Sequence, residues 1–240
     1  MSLAAKLLLS PVLVAQAVAT RARVQRLPEA EGAREGVVGR GPTLRLLMLG
    51  DSSAAGVGVA RQDEALAGIL PAALAKRAGV QVDWKLIARS GVTSAQCLAL
   101  LGEAGAVEAD IAVVVLGVND VVDQVPTARA VAARAAIANR LRNAHGVAHV
   151  VFAPLPPVHQ FPALPQPLRW IAGADARRHD RACAEWAATR ADVSHVPIDL
   201  PLNAGVMAAD GFHPGPTVYR ICGTALAEHI AEKVLAPKAA

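Results

Sequence analysis

The sequence predicts an α/β fold, a small doubly wound parallel sheet of five strands with helices on both faces. Strand-like and helix-like segments alternate from residue 44 to residue 235, a pattern typical of β-α units joined by right-handed crossovers. The segment 111–116 is apolar at every position, as expected of a strand that is covered on both faces. Apolar residues make up 53% of the chain and aromatic residues only 3%. We therefore expect a core of aliphatic strands and alanine-rich helices.

Each strand is predicted from its own pattern of apolar residues. The first, 44–49, is apolar apart from Arg45 and stops at Gly50. The second, 81–88, alternates apolar and polar positions, which is the period of a strand with two different faces. The other predicted strands are 110–117, 147–153 and 193–199. The predicted helices lie between the strands and after the last one, at 60–78, 93–105, 127–145, 168–190 and 216–235.

The N-terminal part of the chain has a different composition from the rest. Residues 1–26 predict an apolar helix, residues 27–42 a Gly-, Pro- and charge-rich linker, and residues 43–240 the main domain. The apolar stretch 7–19 is shorter than the ~20 residues that a spanning helix needs. Its length also fits a secretory signal with an Ala-x-Ala site, but arginines follow it directly, which disfavours export.

We therefore expect residues 3–26 to dock on the domain or to lie on a membrane surface. A cytoplasmic or membrane-surface location is favoured on this basis, and export is the alternative.

Composition and spacing exclude several other classes of protein. The net charge is only +4 and the basic residues are dispersed, so nucleic acid is not an expected partner. The three cysteines lie far apart, which is not the pattern of a disulfide framework, and we expect them to be buried thiols: Cys97, Cys183 and Cys222. His145 and His149 straddle a predicted helix end, so they do not share a helical face as metal ligands would. We expect no metal and no cofactor.

Three residues have the side chains of an activated serine nucleophile. Ser52 follows the first strand on a predicted tight turn, and Asp210 precedes His213 by three residues, so that one short turn can hold both. In such a set the histidine accepts the serine proton, while the aspartate orients the imidazole and stabilises its cation. Ser52, Asp210 and His213 are therefore the predicted catalytic residues of a serine hydrolase.

Two further residues follow predicted strands and could stabilise an oxyanion. Gly91 comes after the second strand and Asn119 after the third. The backbone N–H groups of Ser52 and Gly91 and the side-chain amide of Asn119 would supply three donors. Asp120 is expected to cap a helix or to accept a bond from a backbone amide. Each of these short motifs, taken alone, also fits an ordinary turn or helix cap. Their joint occurrence in this order, each after a predicted strand or in the last loop, is not expected by chance.

The four motifs together resemble the SGNH hydrolase superfamily, also called GDSL-type esterases and lipases. They are Gly50-Asp51-Ser52, Gly91, Gly117-Val118-Asn119-Asp120 and Asp210 to His213, and the resemblance covers residues 43–235. It implies a flavodoxin-like, three-layer α/β/α fold with strand order 2-1-3-4-5, metal-independent catalysis, and hydrolysis of an ester or thioester. It also implies that Ser52 is the nucleophile, that Asp210 and His213 complete the triad, and that Gly91 and Asn119 are oxyanion donors. The usual leucine after the GDS triplet is Ser53 here, a departure that concerns the packing of the turn.

The expected function is that of a serine esterase acting on a small-molecule ester with a short-chain or lipid-like acyl group. A carbohydrate or peptidoglycan O-acetylesterase is the alternative within the enzymes. It is less favoured because few aromatic residues are available to stack on sugars. A membrane-tethered acyl-binding module with an idle triad is the alternative from another class. The proline-rich segment 154–167 is expected either to line the substrate pocket or to form a rigid surface crossover.

Overall fold

The computed structural model describes residues 3–105, 107–200 and 202–236. Its centre is a six-stranded sheet of order β1-β3-β2-β4-β5-β6, in which every pair is parallel except β1 with β3. The predicted α/β class is confirmed, and the five predicted strands follow one another in the predicted order 2-1-3-4-5. The strands are β1 Glu35–Gly39, β2 Thr43–Gly50, β3 Gln81–Ala88, β4 Ile111–Val115, β5 His149–Phe152 and β6 Val193–His195.

The sixth strand, β1, lies within the segment predicted to be a linker, residues 27–42. It pairs antiparallel with β3, and Glu35 lies opposite Lys85 at an N–O distance of 3.2 Å. It forms an edge of the sheet. Its residues alternate between exposed and half-buried because successive side chains point to opposite faces. An edge strand covered on one side tolerates the glycines and charges that made this segment look like a linker.

Helices cover both faces of the sheet. Along β2, Leu46 and Met48 point to the face covered by the second and seventh helices, whereas Leu47 and Leu49 point to the opposite face. All four side chains are almost completely buried. The helices are α1 Leu3–Arg23, α2 Leu66–Ala78, α3 Ser94–Glu103, α4 Val118–Val122, α5 Thr127–His145, α6 Leu168–Ala188 and α7 Pro216–His229, with a π-helical turn at Ile230–Val234.

Local backbone geometry explains where the helices begin and end. α2 and α5 stop at Gly79 and Gly146, whose φ values of 65° and 72° are left-handed and favour glycine. α3 begins with a capping box between Thr93 and Gln96. The predicted helix 60–78 is shorter in the structure, since the extended backbone of Ala65 separates α2 from a preceding 3₁₀ turn.

The first helix, α1, is attached to the domain through Gln16. Its side-chain amide donates to the backbone oxygen of Gln166 at 2.7 Å and accepts from the backbone N–H of Leu168 at 3.1 Å. Val14 and Val18 are exposed, by 62% and 64%, on the outer side of this helix. Among the helices of the described residues, none is both long and apolar enough to cross a membrane.

The parallel strands bring the candidate residues to one edge of the sheet. Gly50, the last residue of β2, lies opposite Ala88 of β3 and Val115 of β4. The turns that follow these three strands therefore leave the sheet side by side. In a doubly wound sheet this carboxyl edge is where a reactive crevice forms.

Candidate active site

Ser52 stands on a tight turn directly after β2. A Cβ atom on Gly50 would collide with the backbone oxygen of Val115, so this close approach requires glycine. The Asp51 N–H donates to the same oxygen at 3.2 Å, and the Asp51 carboxylate accepts the Ser53 N–H at 3.0 Å. These contacts fix the turn and leave the Ser52 side chain half-buried.

His213 lies between Ser52 and Asp210. Its Nε2 atom is 3.0 Å from Ser52 Oγ, and its Nδ1 atom is 2.6 Å from Asp210 Oδ2. The other carboxylate oxygen of Asp210 accepts the backbone N–H groups of Phe212 and His213, both at 2.9 Å. Burial alone would raise the pKa of Asp210, but these hydrogen bonds outweigh it and hold the pKa below its ordinary value. The structure thus joins three of the predicted site residues in one hydrogen-bonded chain.

Asn119 is the second residue of α4, beside the Ser52 turn. Its Nδ2 atom donates to the Val92 carbonyl oxygen at 3.1 Å and contacts Asp51 Oδ2 at 3.5 Å. The second of these is long for a hydrogen bond. The amide is therefore anchored firmly on one side and loosely on the other.

Gly91 lies on the turn after β3, and its φ of 82° is in the region that favours glycine. The residue is exposed, and apart from its chain neighbours no described residue has an atom within 4 Å of the position that a Cβ would take. A side chain would therefore extend into open space at this edge of the sheet. Gly91 is not among the residues that line the cavity beside Ser52.

A small cavity of about 30 Å³ opens beside Ser52. Phe161 and Phe212 close part of it, with ring centroids 5.1 Å apart in an edge-to-face arrangement. The proline-rich segment 154–167 contributes Pro156 and Phe161 to its wall, as one of the two readings of that segment anticipates. The lining residues are Ser52, Ser53, Val118, Asn119, Pro156, Phe161, Leu202, Met207, Phe212, His213 and Pro214.

The carboxylate of Asp51 is buried directly behind Ser52, with 3% of the residue exposed. Its burial raises the pKa to about 6, while the hydrogen bond from Ser53 acts in the opposite direction. The nearby Asp120 carboxylate raises the pKa further, and Arg134 lowers it. A titratable group therefore lies within the turn that carries the serine.

Sequence reasoning missed one member of this region, Arg134 of α5. It is 1% exposed and forms a 3.2 Å ion pair with the equally buried Asp120. Asp120 accepts the backbone N–H of Ser94 at 2.9 Å, which agrees with its expected role as a partner of a backbone amide. The signal for Arg134 was its spacing: it occupies the same helical stripe as the buried Ala130, Ile137 and Leu141.

The cysteines are not placed for nucleophilic chemistry. Cys97 and Cys183 are buried, as expected, and Cys222 is half-buried. Burial raises the pKa of Cys97 and of Cys222 to about 12 and also raises that of Cys183. Among the described residues, no three or more His, Cys, Asp or Glu side chains form a group that could hold a metal ion.

Comparison with known proteins gives a family and a fold. Residues 48–221 match the model of the GDSL-like lipase/acylhydrolase family. A GDSL-like esterase of Mycobacterium tuberculosis is 28% identical over an alignment of 259 positions, which spans 94% of this chain and 79% of that protein.

Two solved structures are similar in fold. A lipolytic protein of the G-D-S-L family from Veillonella parvula has a TM-score of 0.60 at 11% identity, covering 78% of this chain and 98% of its own. An acetylxylan esterase from Geobacillus stearothermophilus has a TM-score of 0.57 at 17% identity, covering 82% of this chain and 97% of its own.

Proposed function

Since the chain belongs to the GDSL-like lipase/acylhydrolase family and is a carboxylic ester hydrolase, we propose that it cleaves short-chain acyl esters with Ser52 as the nucleophile. One observation supports this assignment above the others. Ser52, His213 and Asp210 form a continuous hydrogen-bonded chain with distances of 3.0 and 2.6 Å. That is the arrangement that turns a weak hydroxyl into a nucleophile.

The proposed reaction has two halves. Ser52 Oγ attacks the carbonyl carbon while His213 Nε2 accepts the hydroxyl proton, and the proton then passes to the departing alkoxide so that an alcohol leaves. A water molecule, deprotonated by the same Nε2 atom, attacks the acyl-serine. The bond between the acyl carbon and Ser52 Oγ then breaks, and Nε2 returns its proton to Oγ, which releases the carboxylic acid and restores free Ser52. Asp210 accepts the Nδ1–H hydrogen bond throughout, which selects the tautomer with a free Nε2 lone pair and stabilises the imidazolium.

In each half the carbonyl oxygen gains negative charge, which the proposed oxyanion donors stabilise. These are the backbone N–H groups of Ser52 and Gly91 and the side-chain amide of Asn119. The long contact from Asn119 Nδ2 to Asp51 can yield to an oxyanion, while the 3.1 Å bond to Val92 keeps the amide in place. Donors that are fixed before the reaction avoid reorganisation in the transition state.

The dimensions of the cavity favour short acyl groups. The cavity is small and is narrowed by the edge-to-face rings of Phe161 and Phe212, so an acetyl or similar group fits more readily than a long chain. Phe161, Phe212 and Met207 make the wall largely apolar, which suits an alkyl group.

An O-acetylesterase for carbohydrate or peptidoglycan remains the alternative. The small cavity also suits an acetyl group on a sugar, and the fold is similar to that of the Geobacillus acetylxylan esterase. Acetylated xylan oligomers and acetylated peptidoglycan discriminate between the two proposals when they are compared with simple acetyl esters. An acyl-binding module with an idle triad is less favoured, because it would not need His213 and Asp210 held in register with Ser52.

A further part of the proposal concerns α1, which we expect to contact a membrane surface. Val14 and Val18 expose apolar surface on its outer side, and Arg21 and Arg23 follow in its last turn. No acidic residue precedes Glu29 in the chain. Apolar and basic residues on one helix favour the interface of an anionic bilayer.

The experiment that tests the proposed function is hydrolysis of p-nitrophenyl esters from acetyl to palmitoyl. We expect kcat/KM to be highest for the shortest acyl groups and Ser52→Ala to lower kcat by at least about 10⁴-fold. Ser194→Ala is the matched control, since its Oγ also lies within hydrogen-bond distance of histidines, His149 and His229. Equal hydrolysis by wild type and Ser52→Ala would refute the assignment of Ser52 as the nucleophile. A preference for the palmitoyl ester would refute the proposed specificity for short acyl groups.

A further inference from the structure

A second buried polar cluster lies directly behind the Asn119 amide. Asp120 Oδ1 accepts the Ser94 N–H at 2.9 Å, and Asp120 Oδ2 accepts the Ser94 hydroxyl at 2.5 Å. Arg134 reaches the same carboxylate at 3.2 Å and the Ser94 hydroxyl at 3.3 Å. Four hydrogen bonds thus connect α4, α3 and α5 at one point.

The burial of this cluster is costly in free energy. Asp120 and Arg134 are each about 1% exposed, so both charges have lost their water. A buried ion pair is seldom better for stability than apolar residues of the same size, because desolvation offsets the attraction. Gly117 also lacks the Cβ that would collide with Arg134 Nη2, and its φ is 133°. These costs are consistent with a cluster that serves geometry rather than stability.

The position of the cluster identifies what it holds. Asp120 is the neighbour of Asn119 on α4, a helix of only five residues. Ser94 is the first residue of α3 and follows Gly91 by three positions. The Asp120–Ser94 bonds therefore tie the turn that carries the glycine N–H to the helix that carries the amide, and the Asn119–Val92 bond spans the same gap at 3.1 Å.

We propose that Asp120, held by Arg134 and Ser94, is a positioning residue that fixes the Asn119 amide against the Gly91 turn. The inference rests on the proposed function, because Asn119 must act on the oxyanion for its position to matter. Asp120 itself is not among the residues that line the cavity beside Ser52. Displacement of a catalytic group by about 1 Å can cost about 10²-fold in rate, so loosening α4 should lower kcat without abolishing binding.

The test is a double-mutant cycle between Asp120→Asn and Asn119→Ala. In the wild-type background we expect Asp120→Asn to lower kcat for p-nitrophenyl acetate by about 10- to 100-fold with KM changed less than about 3-fold. In the Asn119→Ala background the same substitution should change kcat by less than about 3-fold, because the residue it positions is absent. Equal losses in both backgrounds would overturn the proposal.

Two further variants separate positioning from folding. Asp110→Asn is the matched control, because Asp110 also pairs with an arginine, Arg45, but at the opposite edge of the sheet. It should lower Tm without lowering kcat. If Asp120→Asn does not fold, Ser94→Ala carries the same cycle, since it removes one hydroxyl and keeps both charges. Full kcat in a folded Ser94→Ala protein would then overturn the proposal.

The outcomes also separate this inference from the proposed function. If Asn119→Ala alone leaves kcat unchanged, the proposed oxyanion role of Asn119 fails and the positioning role fails with it. If Asn119→Ala lowers kcat but the effect of Asp120→Asn is the same in both backgrounds, only the positioning role fails.

Discussion

His213 Nε2 lies 3.0 Å from Ser52 Oγ although the two residues are 161 positions apart in the chain. The segment before α7 is folded back on itself, with Met207 paired to Pro214 and the Ala208 N–H bonded to the His213 oxygen at 2.9 Å. Gly58, with a φ of 108°, packs so closely on the Pro214 oxygen that a Cβ would collide there. The segment after β2 and the segment before α7 are thus held together beside the cavity by backbone packing as well as by the side chains.

We expect a fluorophosphonate probe to label the protein covalently on Ser52. Because His213 Nε2 can accept its proton, the Ser52 hydroxyl is a better nucleophile than that of a solvated serine. Mass-spectrometric peptide mapping locates the adduct, and His213→Ala should slow the labelling. An adduct on Ser53, Ser90, Ser94 or Ser194 would contradict the assignment.

Replacing Asn119 by alanine should lower kcat by about 10²–10³-fold, the usual loss for one oxyanion donor. The Tm should change little in comparison, because Asn119 makes one short and one long hydrogen bond. Steady-state kinetics and thermal unfolding on the same preparation measure both effects. A variant with full kcat would remove Asn119 from the proposed oxyanion hole.

Chelators should leave the activity unchanged, since the proposed mechanism assigns every proton transfer to His213. The measurement is p-nitrophenyl acetate hydrolysis before and after dialysis against EDTA. Loss of activity that a divalent ion restores would overturn the proposed mechanism.

Deleting residues 1–26 should leave hydrolysis of a soluble acetyl ester within about 3-fold of the full chain while reducing sedimentation with phosphatidylglycerol vesicles, since the apolar and basic groups of α1 are both lost. The double variant Val14→Ser, Val18→Ser keeps the helix charges and should show an intermediate loss of vesicle binding. If the shortened protein unfolds or loses acetyl-ester activity, α1 is instead a wall of the domain.

Asp51 should make the protein less stable as the pH rises from 4 to 7. Its pKa is raised from 3.8 to about 6 by burial, so the folded state holds this proton more strongly than the unfolded state. The resulting stability is full below about pH 4 and is lost as the pH passes 6. Relative to Asp51→Asn, the wild-type free energy of unfolding should therefore fall by about 2 kcal/mol across this range.

Urea unfolding at pH 4, 5, 6 and 7 measures that difference. Asp110→Asn provides the control, because the hydrogen bond and charge of Arg45 lower the pKa of Asp110 and so place its titration below this window. If the difference in the free energy of unfolding between wild type and Asp51→Asn does not vary with pH, the raised pKa of Asp51 is contradicted.

Local patterns in the sequence were sufficient for the fold class and for the choice of candidate residues. The apolar run of 111–116 is typical of a strand covered on both faces, and alternation with helical segments indicates a parallel sheet. Once the strands are parallel, the residues that follow them meet at one edge. Ser52, Gly91 and Asn119 could therefore be selected together without coordinates.

The tertiary structure alone decided features that depend on distant contacts. The composition of β1 resembles that of a linker, because an edge strand is covered on only one side and tolerates polar residues and glycine. Its strand character comes from its antiparallel hydrogen bonding to β3, which lies more than 40 residues further along the chain. Arg134 lies in an apolar stripe whose partner, Asp120, belongs to another helix. The cavity beside Ser52 is closed by Phe161 and Phe212, which lie in segments far apart in the chain. Packing between distant segments determines such contacts, whereas a sequence pattern reports only on neighbours along the chain.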